Sequence, residues 1–168
     1  MLISRRSLLW ASASVVALAA CTTNMATIAS DANLVVTGLQ KAIDGIETAD
    51  PTLIKASDQA TINTALTAAL ALAKGLSATT PVSSGASTVQ TIDTDINTVL
   101  DIAAALPVIP PPYGAAVQAA AALAPVLEAF VNTTLGLAAA APPGPRARLR
   151  TGLTPEQARA QLQAFVGS

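Results

Sequence analysis

Residues 87–106 read STVQTIDTDINTVLDIAAAL, and the order of their apolar members decides the fold. Val89, Ile92, Ile96, Val99, Ala103 and Leu106 follow one another at steps of 3, 4, 3, 4 and 3. An α-helix turns once in about 3.6 residues, so these six side chains fall on one stripe, whereas a strand would scatter them over both faces. The other side carries Thr91, Thr94, Asn97 and Thr98, uncharged polar residues where charges are common. Ser87 reads as the N-cap of this helix and Pro107 as its stop.

The rhythm repeats upstream. Ile28, Ala32, Val35, Leu39, Ala42 and Ile46 step by 4, 3, 4, 3 and 4, which predicts a helix over residues 26–49 with Asp31, Gln40, Asp44 and Glu47 on its polar side. Asp50-Pro51 reads as an N-cap with proline at the first position of a second helix, which runs to Lys74 and stops at Gly75. Ile62, Leu66, Ala69, Leu70 and Ala73 give it an apolar face, and residues 76–86 read as a loop. Downstream, PVIPPP at residues 107–112 predicts an extended connector, because proline supplies no backbone donor. A fourth helix begins near Tyr113, buries Val117, Ala120, Ala124, Leu127 and Val131, and meets a kink at Pro125. After the PPGP spacer at residues 142–145, Thr154-Pro155-Glu156-Gln157 opens a short terminal helix as a capping box, with Ala158, Leu162 and Phe165 on one side. The expected fold is all-α: an antiparallel four-helix bundle over residues 26–141, a Pro/Arg-rich linker over 142–153 and a short C-terminal amphipathic helix over 154–168.

Composition agrees and narrows the chemistry. A chain of 168 residues allows one modest domain, and 52% hydrophobic residues are too many for a disordered tail. Alanine fills 38 positions and aromatic residues only 2%, so the apolar bulk is small side chains rather than those of sheet cores. The chain has no His and one Cys. General acid/base catalysis by His, Cys/His zinc sites, Cys–His nucleophiles, disulfides and His-ligated haem therefore drop out together.

Residues 1–20 read as an address. Arg5 and Arg6 precede an apolar run over residues 8–20, which is too short to span a bilayer as a permanent helix. Leu18-Ala19-Ala20-Cys21 resembles the lipobox of bacterial lipoproteins. That resemblance implies cleavage before Cys21, acylation of its thiol and a membrane anchor, with residues 21–25 as the tether. Each buried CH₂ adds about 0.8 kcal/mol, so two or three acyl chains hold firmly where one does not. Ser4-Arg5-Arg6-Ser7-Leu8-Leu9 is similar to a twin-arginine export signal, with Leu8 where that family commonly has Phe and Trp10 where it often has Lys. In the lipoprotein family an Asp after the Cys retains the protein in the inner membrane. Thr22 stands there instead, which implies an outer-membrane anchor on the periplasmic face.

Charge is unevenly placed in the remainder. Residues 22–141 hold three Lys against nine Asp or Glu, net −6, while residues 142–168 hold Arg146, Arg148, Arg150 and Arg159 against Glu156, net +3. The closely spaced Arg146, Arg148 and Arg150 suit an anionic headgroup or an acidic partner; nucleic acid is not an expected partner in the envelope. No catalytic residue is assigned. Asp93 and Asp95 point to different helix faces, Asp44 and Glu47 lie opposite the apolar stripe, and no phosphate-binding or calcium-binding loop is present. No metal ligand, cofactor-binding residue or cofactor is assigned either. Pro107 and Pro110 give the PxxP spacing beside Tyr113, a weak docking motif.

The expected function is a lipid-anchored, non-catalytic helical binding or structural module of the bacterial envelope. Its low surface charge favours a homo-oligomer or a protein partner. Two alternatives stand beside it: a membrane-perturbing or membrane-inserting accessory protein acting through apolar residues 102–141, and a carrier of a small apolar ligand.

Overall fold

A computed structural model describes residues 24–137, 149 and 152–168. Five helices follow in order: α1 (Met25–Ala49), α2 (Ala56–Gly75), α3 (Val82–Ala105), α4 (Tyr113–Leu135) and α5 (Pro155–Gly167). Among the described residues there is no strand. The first four close a ring in which α1 packs on α2 and α4, and α3 packs on α2 and α4; α5 lies over α1 and α4.

Side-chain contacts fix the directions. Asn33, in the early turns of α1, donates from Nδ2 to the carbonyl oxygen of Ala73 at 3.0 Å, in the last turn of α2. The same carbonyl accepts from Leu76 N at 3.2 Å, so Asn33 joins the C-cap of α2. The Met25 side chain lies over Gly85 in the first turn of α3, so α1 and α3 run the same way. Tyr113, the first residue of α4, lies over Gly45 near the end of α1, so α4 runs against α1. The result is an antiparallel four-helix bundle with a fifth, shorter helix on one seam.

The core follows the predicted stripes, except that Leu70 and Leu106 are only half-buried at its edge. Ile28, Val35, Leu39 and Ile46 from α1 meet Ile62 and Leu66 from α2, Ile92, Ile96 and Val99 from α3, and Leu123 and Leu127 from α4, all buried. Ala116, Ala119, Ala120, Ala121 and Ala124 are buried along α4, the helix that touches α1, α3 and α5; side chains this small let backbones approach closely. α4 continues through Pro125 as one helix and ends at Gly136, whose φ of 66° is the left-handed cap that glycine adopts without a Cβ penalty.

Two helix starts differ from the sequence expectation. Asp50 caps the end of α1 rather than the start of α2, and its carboxylate accepts from Thr52 N and Thr52 Oγ1 at 3.0 and 2.7 Å. This local turn captures the aspartate, Ile54 is buried, and α2 begins only at Ala56. Bonding to Thr52 holds the exposed Asp50 carboxyl below its ordinary value. At the other start, α3 begins at Val82 and Ser87 lies within it. The hydroxyls of Ser84 and Thr88 turn back onto the carbonyls of Pro81 and Ser84, and Gly85 receives the Met25 side chain. A tertiary contact thus extends a helix whose first turn has the composition of a loop.

Candidate functional site

Asp31, Gly38 and Gly45 recur at intervals of seven in α1, which is close to two turns, so they lie along one stripe of the helix. This stripe is distinct from the aliphatic one that faces the core. It receives α5. A Cβ built at Gly38 would stand 2.6 Å from Leu162 Cδ2, and one built at Gly45 would stand 2.1 Å from Tyr113 Cε1. Both glycines are notches filled by a neighbour, and any side chain there would have to displace it.

Asp31 is only 2% exposed. The sequence reading puts it on the solvated side of α1; the structure corrects this, because α5 roofs that side and brings a cation with it. Arg159 Nε and Nη2 donate to Asp31 Oδ1 and Oδ2, each at 2.7 Å, a fork-on-fork pair that satisfies both carboxylate oxygens. The bond to Asp31 raises the Arg159 pKa above its ordinary value. Arg159 itself keeps one edge toward solvent, with 26% of its side chain exposed.

Further along the seam, Lys41 Nζ donates to the carbonyl oxygen of Phe165 at 3.0 Å and lies 5.4 Å from the centre of the Phe165 ring. The last carbonyls of a helix lack partners within it and carry the negative end of its dipole, so a lysine there is doubly placed. Phe165 meets Tyr113 edge to face at 6.3 Å between ring centres. Tyr113 thus serves as a plug between Gly45 and Phe165. The N-terminus of α5 is closed by the expected capping box: Gln157 N donates to Thr154 Oγ1 at 3.3 Å and Thr154 N donates to Gln157 Oε1 at 2.9 Å. Only Ala158 and Leu162 of its 13 residues are fully sunk.

A second feature is an open groove of about 460 Å³ between α2 and α3, lined by Ala60, Thr61, Thr64, Ala65, Ala68, Asp95 and Thr98. Its threonines spend their donors at home: Thr61, Thr64 and Thr98 bond to the carbonyls of Ser57, Ala60 and Thr94 at 3.0, 2.8 and 3.0 Å. The same habit recurs at Thr88, Thr91 and Thr94, so the hydroxyl-rich surface of α2 and α3 offers few free donors. Burial raises the Asp95 pKa. Asp93, two residues away, instead accepts from Asn97 Nδ2 at 3.0 Å, which agrees with the two carboxylates facing different ways. Among the described residues no group of three or more acidic, Cys or His side chains could hold a metal ion.

Arg5, Arg6, Leu18, Ala19, Ala20 and Cys21 of the leader, and Arg146, Arg148 and Arg150 of the linker, lie outside the described residues. The features that sequence reasoning missed are Asp31, Gly38, Lys41 and Gly45. For Asp31, Gly38 and Gly45 the only signal was the seven-residue spacing of an acid and two glycines flanking the aliphatic stripe, and Lys41 carried none. No family model, curated protein or solved structure matches this chain.

Proposed function

We propose that the chain is a non-catalytic, lipid-anchored helical binding module of the bacterial cell envelope, held at the periplasmic face, at the outer membrane, by acylated Cys21. The observation that carries this reading is the junction of lipobox and fold. Three residues separate Cys21, the end of Leu18-Ala19-Ala20-Cys21, from Met25, where α1 starts behind the Asn24 cap. Asn24 Oδ1 accepts from Thr27 N at 2.9 Å, so a specified helix start stands directly behind the anchor. A tether of that length would keep the start of α1 at the membrane surface.

The bundle's directions extend the reading. α4 runs against α1 and ends at Leu135, and α5 begins beside Asp31 in the first turns of α1. The described residues on both sides of Arg146, Arg148 and Arg150 therefore sit at the anchored end, which supports contact of these arginines with anionic headgroups. Helix-to-helix association with a second copy or another protein is the proposed mode of binding, and the low surface charge supports it.

The test compares the parent chain with Cys21→Ser in a Gram-negative host, by membrane fractionation and intact mass. The expected parent is in the outer-membrane fraction, lacks residues 1–20 and carries acyl mass; the variant loses that mass and leaves the membrane. Equal mass and equal distribution of the two would refute the anchor.

The membrane-inserting alternative rests on α4, which is long and apolar enough to cross a bilayer by length and composition. Half of its most apolar stretch is buried within the bundle, the packing expected of a core helix, and this favours the binding module. Vesicle leakage induced by the protein, abolished by a charge at Val126, would reverse the preference.

A further inference from the structure

We infer that the α1 face roofed by α5 is itself a binding site for an amphipathic helix, and that α5 is its resident competitor. The inference rests on the proposed binding function and names the surface that performs it. α1 to α4 close their ring without α5, since each packs on two neighbours within the four. α5 is an addition to that ring, seated on α1 and α4, with Ala158 and Leu162 sunk and Phe165 half-buried against the core. Its polar attachments are the Arg159 pair to Asp31 and the Lys41 contact to carbonyl oxygens. Local opening of such an element costs less than opening the bundle.

With α5 lifted, the face that remains is specific. It offers the Asp31 carboxylate, an adjoining notch at Gly38 and, one turn further, the Lys41 ammonium as a donor to helix-end carbonyls. The complement is a helix bearing an arginine, a leucine three residues later and an aromatic three residues after that, with its C-terminal carbonyls close behind. α5 has this pattern in Arg159, Leu162 and Phe165. The occupant is a partner helix of the same pattern, and its affinity is reduced by the fraction of time α5 stays docked.

A labelled peptide of residues 154–168 serves as the probe, titrated against the whole chain and followed by fluorescence anisotropy. The Arg159→Ala/Leu162→Ala chain is expected to bind it at least about tenfold more tightly than the parent, because its own α5 competes poorly. The same peptide carrying Arg159→Glu is expected not to bind. Equal binding by parent and variant chains, or equal binding of both peptides, would overturn the inference. If the variant chain does not fold, hydrogen exchange on the parent decides: amides of α5 are expected to exchange at least about tenfold faster than those of α1. A common rate for α5 and α1 would mean that α5 opens only with the bundle, and the competitor role would fall. Neither readout depends on where the chain resides, so failure of the α1 site leaves the anchor standing, and failure of the anchor leaves the α1 site.

Discussion

The seam between α2 and α3 joins two helices through alanines and through threonines whose hydroxyls are turned onto their own backbones. The seam between α1 and α5 uses a bidentate ion pair, a glycine notch and a lysine on carbonyl oxygens. The first is permissive: exposed small residues such as Ala68 accept substitution as long as the apolar stripe beneath is kept. The second is exacting, because a buried carboxylate accepts one kind of partner and a notch one kind of shape. The most exacting packing of the bundle lies on its smallest helix.

Substitutions at the two seams should separate them. Arg159→Ala is expected to have the largest effect, a loss of about 2 kcal/mol in urea unfolding. A sealed, unpaired carboxylate would cost about 3–5 kcal/mol, but α5 can lift and let water reach Asp31. Next comes Gly45→Ala. The added Cβ meets the Tyr113 ring at a cost of about 1–3 kcal/mol, partly offset by about 1 kcal/mol of helix propensity, so a net loss of about 1 kcal/mol is expected. Ala68→Ser, the matching change on the α2/α3 seam, should stay within about 0.5 kcal/mol, and equal losses at Gly45 and Ala68 would erase the contrast. Thr154→Ala removes the capping box and should cost about 0.5 kcal/mol, visible chiefly as faster amide exchange in α5.

The smallest expected effect carries a sign. Burial raises the Asp95 carboxyl above its ordinary value, so the folded chain binds that proton more readily than the unfolded chain. The stabilisation from protonation is complete below the ordinary carboxylate range and is lost as pH rises through the raised value. Asp95→Asn should therefore melt slightly higher than the parent at neutral pH, with the difference vanishing at acid pH. A variant that melts lower at neutral pH would show that the charged form makes a favourable contact in the groove.

What was legible in the sequence follows the same division. The aliphatic stripes of α1, α3 and α4 repeat at helical spacing, and Thr154 to Gln157 spell a local cap; both are short-range patterns that need no knowledge of neighbours. Helix starts failed where a tertiary contact overruled local chemistry, as when the Met25 side chain over Gly85 extended α3 backward. Asp31 was misread because its partner, Arg159, lies 128 residues away, and a lone acid beside a hydrophobic stripe reads as solvated until the roof is seen. Glycines in a helix likewise look like weakness until Leu162 and Tyr113 fill their notches.

The central claim is that α5 is held by the pairing of Asp31 with Arg159. A double-mutant cycle over Asp31→Ala and Arg159→Ala, read by urea unfolding, measures that pairing most directly. The account predicts a coupling of more than about 1 kcal/mol between the two sites. Effects that add within about 0.3–0.5 kcal/mol would contradict it and leave α5 held by its apolar packing and the Lys41 contact.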